Sequence, residues 1–266
     1  GGSAGAINSM GGSGQLGNVD ALGSDLNIDS KSNVTLADVE LNGTAGISVD
    51  FDSDDNEAGT LQPNGEILNA TSVTFDAGGT GTDDRINVAG NIDADAGDIN
   101  FGDASVVSID ASAARSINAD AGNVLIDSVG VIQLTGGDES ITIEAEQDIR
   151  LTDVSDVGGN TTAASLDLQA GDNVTLQSVA LAGTTTDGSL TVDFDTNDTD
   201  ADTLRVDGII SDVSALQFIG GSDANDLVDI IADIAADSID IRDAASAMIE
   251  ASASRTIPAL ARNLSL

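Results

Sequence analysis

Four stretches of this chain repeat one pattern at a fixed step: Ile99-Asn-Phe101-Gly-Asp103-Ala104, Val124-Leu-Ile126-Asp-Ser128-Val129, Ile149-Arg-Leu151-Thr-Asp153-Val154 and Val174-Thr-Leu176-Gln-Ser178-Val179. Each begins 25 beyond the one before. Each reads apolar, any, apolar, any, then Asp or Ser, then a small apolar residue. Alternation over so few residues marks a half-buried strand rather than a helix. The clusters between strands, such as Asn42-Gly43, Asn64-Gly65, Gly78-Gly79 and Gly220-Gly221, supply turn chemistry. A unit of this length cannot bury an apolar stripe alone, whereas stacked copies bury a continuous one. The spacing therefore predicts an all-β fold, a β-solenoid (parallel β-helix) of about ten rungs of roughly 25 residues. Each rung would rise about 4.8 Å.

A longer period contains the short one. Asn33-Val34-Thr35-Leu36 returns as Asn173-Val174-Thr175-Leu176, and Val49-Asp50-Phe51-Asp52 returns as Val192-Asp193-Phe194-Asp195, shifts of 140 and 143. The chain thus holds about 1.9 copies of a unit of that length, at 32–171 and 172–266, with 1–31 ending a preceding copy. The expectation is one continuous solenoid cut from a longer protein. The short series extends through Val34, Val73, Leu216, Ile239 and Leu264. The intervals from Val34 to Val73 and from Val174 to Leu216 are 39 and 42, so the first rung of each copy is read as lengthened. Asp226 to Ile241 could pass for an amphipathic helix. Its counterpart, Asp84 to Phe101, carries Gly90 and Gly97, so both are read as strand.

Composition narrows the chemistry. The chain of 266 residues carries 46 Asp and Glu against 8 Lys and Arg, a formal charge of −38, with no His, Cys, Trp or Tyr. Disulfides, thiolate or imidazole metal sites and Ser-His-Asp chemistry are excluded. A nucleic-acid partner needs a basic face that is absent. No apolar run approaches the roughly 20 residues of a membrane-spanning helix, so membrane insertion is not expected. The charge repels itself, and bound divalent cations or a saline medium would offset it. In the stacked reading, Asp98, Asn123, Asp148 and Asn173 form one column, and Asp103, Ser128, Asp153 and Ser178 another. Neutral residues between the acids double the separation of like charges.

Two sets of acids are candidate Ca²⁺ ligands. The first lies in the lengthened rungs: Asp50, Asp52, Asp54, Asp55 and Glu57, then Asp193, Asp195, Asn197, Asp198 and Asp200. Closely spaced hard oxygens suit Ca²⁺, which takes six to eight of them. The opening Asp-x-Asp-x-Asp/Asn lacks the glycine and glutamate of an EF-hand loop, and the alternative is a solvated acidic loop. The second set, Asp83 and Asp84, then Asp223 and Asp226, follows Gly78-Gly-Thr-Gly81-Thr-Asp83-Asp84-Arg85 and Gly220-Gly-Ser-Asp223-Ala-Asn225-Asp226-Leu227. These resemble the RTX nonapeptide G-G-x-G-x-D-x-U-x, with Arg85 at the apolar place, Asp223 for Gly and Asn225 for Asp. Each copy stands alone rather than in tandem. Turn glycines flanked by acids are the plainer reading.

The stacked strands, the nested repeat and the Asp/Asn/Thr/Gly-rich composition resemble the β-strand-repeat regions of giant secreted surface proteins, filamentous-haemagglutinin-type and RTX-like adhesins. The resemblance implies a non-catalytic extracellular or cell-surface segment that extends, adheres or assembles, with Ca²⁺ available. Its partners would be neighbouring copies in a fibre or sheath, or a cell surface or glycan. Parallel β-helices also include polysaccharide-degrading enzymes, and Arg115 and Arg255 recur at equivalent places. Sugar clefts want aromatic platforms, however. Only five Phe are present, and Phe51, Phe75 and Phe101 fall at core positions.

Overall fold

A computed structural model describes residues 5–9, 13–21, 24–54, 58–78, 83–157, 159–197, 201–221 and 225–249. These hold 30 strands and no helix, coiled as a parallel β-solenoid of about eight turns, close to the ten expected. A turn takes three strands. Val73–Asp76, Arg85–Val88 and Ile92–Ala94 make one, and the next begins where Ile99 pairs with Val73. Asp226 to Ile241 is strand, as read: Leu227–Ile230, Ile234–Ala236 and Ile239–Arg242 repeat the four-three-four strand lengths of Arg85–Val88, Ile92–Ala94 and Ile99–Gly102.

The chain forms two compact units, Gly1–Asp110 with Ser116–Ile132, and Ala111–Arg115 with Gln133–Leu266. In the first, Leu26, Ile47, Val73, Ile99 and Val124 stand in one ladder, successive members paired. Their spacing along the chain is 21, 26, 26 and 25. In the second, Ile149, Val174, Leu204, Val228 and Ala247 do the same at spacings of 25, 30, 24 and 19. Turn length varies because the corners absorb extra residues while the strands keep their register.

These ladders redraw the lengthened rungs. Val34 pairs with Leu61, in the second strand of its turn, and Leu216 pairs with Leu190 and Ile239, in the third. Val34 is therefore outside the ladder of Val73 in the first unit, and Leu216 outside that of Val174 in the second. The stretch from Val34 to Val73 is therefore one turn and two strands rather than one long rung. The strands Val34–Leu36 and Val174–Leu176, which carry the same sequence, lie 17 strands apart. With three strands to a turn, the two copies enter the coil out of phase.

Alternation explains the core. In strands such as Val73–Asp76 and Leu26–Ser30 every second residue is buried, because successive side chains point to opposite faces. All five Phe (Phe51, Phe75, Phe101, Phe194, Phe218) are fully buried. Phe75 and Phe101, paired in register, stack with ring centroids 5.1 Å apart. A fully buried residue of this size contributes about 1.5–3 kcal/mol over an exposed one.

Corners repeat too. The only positive-φ residues other than glycine among those described are Asn69, Asp103, Asp212 and Asp243, at φ of 55–57°. They fall in equivalent pairs, Asn69 with Asp212 and Asp103 with Asp243. Asn and Asp are the non-glycine residues that best tolerate this conformation. Gly122 turns where a Cβ would press on the backbone of Gly97 and stand 2.7 Å from the Asp98 nitrogen, one turn away. Gly122→Ala is expected to cost about 1–3 kcal/mol, read as a lowered Tm by circular dichroism. An unchanged Tm would show that the corners are not in contact.

Candidate cation sites in the coil wall

Stacking gives the outward polar residues their partners. Asn123 donates to Asp98 Oδ1 through both its backbone N–H and its side-chain Nδ2, each at 2.8 Å. Asn173 repeats this on Asp148 at 3.2 and 3.1 Å, and its own Oδ1 accepts from the Thr203 N–H at 3.0 Å. The alternation of acid and neutral residue therefore does more than separate charges, because the neutral member donates hydrogen bonds to the acid beside it. In the second column the Ser178 N–H donates to Asp153 Oδ1 at 2.9 Å. Ser128 instead pairs opposite Gly102 at a register shift, so Asp103 and Ser128 do not repeat the contact.

Burial alone would raise the Asp148 carboxyl. The hydrogen bonds from Asn173 and the Arg150 guanidinium at 3.0 Å outweigh it and hold the group below its ordinary value. Asp50 shows the opposite case. It stands in register between Asp29 and Asp76, with no neutral residue between them. Burial, then the charges of Asp76 and Asp29, push its carboxyl up.

The acidic stretches divide by burial. Asp52 is fully buried, while Asp54 is turned outward in an ion pair with Lys31 at 3.0 Å. In the second copy Asp195 and Asp202 are buried and Asn197 is half-buried. Burial, ahead of the charge of Asp167, raises Asp193. Asp55, Glu57, Asp198, Asp200, Asp223 and Arg255 lie outside the described residues.

The Gly-Gly stretches meet these acids. Asp84 is fully buried, and its Oδ1 accepts from the Gly59 N–H at 2.5 Å. Asp226, also fully buried, accepts from the Asp202 N–H at 3.1 Å, and Gly59 and Asp202 are equivalent positions. Asp52 and Asp84, far apart in sequence, thus both lie beside Gly59. The alternation also shifts the RTX-like reading by one residue. Asp84 and Ile86 point inward, while Asp83 and Arg85 are exposed. The inward acid is the one that the nonapeptide pattern leaves unspecified.

One acidic group went unread in the sequence. Carboxylate oxygens of Asp93, Asp95 and Asp120 lie within 4.8 Å of one another. Asp120 follows Asp95 by 25, the step that stacks them, so the period contained the signal. Asn118 donates to Asp93 at 3.1 Å and to Asp120 at 2.6 Å. Burial first, then Asp120 and Asp95, raise Asp93.

Comparison of the chain with protein-family models, with curated proteins and with solved structures returns no match.

Asn123→Asp replaces the donor on Asp98 with a second carboxylate. It is expected to destabilise by about 1–3 kcal/mol, partly recovered at high salt; an unchanged Tm would contradict the ladder. The raised carboxyls of Asp50, Asp93 and Asp193 bind protons more readily folded than unfolded. Their penalty is complete at neutral pH and is relieved as pH falls toward their raised values. Asp148 works in the other sense: its contribution is present above 3.8 and is lost as pH falls through its depressed value. In cation-free buffer, Tm should rise on mild acidification from neutrality. A monotonic fall would contradict this assignment.

Proposed function

We propose that this chain is a non-catalytic structural or adhesive repeat segment of a larger extracellular protein or fibre, stabilised or cross-linked by Ca²⁺ through its acids. One observation carries the reading. The solenoid uses its apolar residues, including every aromatic, to bind turn to turn, and it leaves the wall to carboxylates and their hydrogen-bonding neighbours. Large exposed hydrophobics among the described residues are limited to Val157, Ile209 and Met248. Such a wall offers hard oxygen ligands and no aromatic surface. It suits cation bridging to a second copy better than a sugar cleft, which needs aromatic stacking.

Sedimentation and electron microscopy with and without Ca²⁺ test the proposal. Assemblies should form in millimolar Ca²⁺ and disperse on chelation. If Ca²⁺ leaves assembly unchanged while cells or acidic glycans are still retained, the adhesive alternative replaces the fibre. Turnover of an acidic polysaccharide would overturn the non-catalytic reading.

A further inference from the structure

We infer that the wall built from the second strand of each turn is a docking face for a second copy of this chain. The inference rests on the association of copies proposed above. It assigns the contact to an uncharged surface and leaves Ca²⁺ to the acids around it.

In the first unit this wall comprises Gly14–Leu16, Val34–Leu36, Thr60–Pro63, Arg85–Val88 and Val106–Asp110. Its central outward column is Gln15, Thr35, Gln62, Asn87 and Ser108. Gln15 pairs with Thr35 and Thr35 with Gln62, the pairing of Arg85 with Thr60 carries Asn87 onto Gln62, and Asn87 pairs with Ser108. Successive turns thus set amides and hydroxyls over one another without one acid, in a chain of charge −38. The side chains of this column make no hydrogen bond among the described residues, whereas Asn123 and Asn173 donate to the acid beside them. A cleft of about 290 Å³ opens beside Gln15, Thr35 and Asn64, and no charged residue lines it. Outward charge within these strands is limited to Arg85 and Asp110, opposite in sign. Arg85 is exposed and makes no ion pair among the described residues, although Lys31, Arg150, Arg205 and Arg242 each hold an aspartate. The other walls of the unit differ. Asp29, Asp50 and Asp76 stack on one, and Glu40 and the group of Asp93, Asp95 and Asp120 mark the other.

The second unit repeats the character of this wall. Ser155, Ala180 and Ser211 stand in register in its second strands, again without a charge. Acids return at the corners, as Asp153 and Asp212. Val157 and Ile209 adjoin the same strands, are 50% and 53% exposed, and are two of the three large exposed hydrophobics among the described residues. The occupant follows from charge. Two chains at −38 repel one another, and a contact that opposes like charges is strongly disfavoured. Interface cores are depleted of charged residues. Gln, Asn, Ser and Thr each donate and accept, so this wall complements itself, as a two-fold contact between identical chains requires. Its ladder repeats about every 4.8 Å on both copies, and Arg85 offers a cation to an acid of the second copy.

Sedimentation velocity of the whole chain in millimolar Ca²⁺ tests the face. The wild-type chain should associate. Gln62→Glu with Asn87→Asp adds charge at nearly constant size and should raise the concentration needed for association by about tenfold or more. Ile209→Asp should do so in the second unit, and Asn27→Asp, exposed on the first-strand wall, should not. Unchanged association of Gln62→Glu with Asn87→Asp, or equal loss in Asn27→Asp, overturns the face and leaves the fibre reading intact. A wild-type chain that is monomeric at every Ca²⁺ concentration overturns both. Retention of that monomer on a neutral polysaccharide, lost in Gln62→Glu with Asn87→Asp, would give the face to a glycan and overturn the second copy. Should the charged variants lose their β-sheet circular dichroism, labelling decides. The chain has no Cys, so a spin label on Gln62→Cys should lose mobility on association while one on Asn27→Cys keeps it. Labels that respond alike overturn the face.

Discussion

Register is the interaction on which the rest of this molecule depends. In a parallel coil each residue meets the residue one turn away, at about 4.8 Å, so any choice of side chain is a choice about its neighbour. Apolar residues gain from this directly: Val73 lies on Ile99, Phe75 on Phe101, and the core becomes a set of continuous columns. Corners gain only if they are small or conformationally tolerant, which places Gly122 over Gly97 and Asn or Asp where φ turns positive. Charges lose unless their neighbour is a donor. Asp98 beneath Asn123 and Asp148 beneath Asn173 meet that condition, whereas Asp50 between Asp29 and Asp76 does not.

Much of the fold was legible in the sequence because stacking writes its requirements at a fixed period. The strands, their inward residues, the buried Phe and the strand character of Asp226 to Ile241 all follow from alternation that recurs once per turn. The phase of the strands was not legible. Val34-Thr-Leu36 and Val174-Thr-Leu176 are the same pattern, and nothing local says that one is the second strand of its turn and the other the first. All the strand columns of the coil ask for the same thing, inward apolar residues, so the pattern carries no label for its column. Similar strand sequences therefore do not imply places along one ladder.

The site followed the same division. The acids are visible as clusters, but the bond from the Gly59 N–H to Asp84 is not. Asp84 reaches Gly59 across one full turn of the chain, and that distance belongs to the coil rather than to either cluster. The RTX-like resemblance puts the acid of its pattern at Asp83. The alternation of the strand that follows points Asp84 rather than Asp83 inward. Asp93, Asp95 and Asp120 were missed because two of the three come together only across a turn.

The offset of 17 strands between copies has a consequence for how such chains change length. A duplication that had to preserve whole turns could occur only at a few breakpoints. Here the copied block is not a whole number of turns, yet its strands are accommodated, because a strand that served one column serves another equally well. The heritable module is the single strand with its corner, and the turn is an outcome of stacking three of them. Genetic gain or loss of material can then be graded one strand at a time, a third of a turn, with the corner chemistry carried along inside each copied piece.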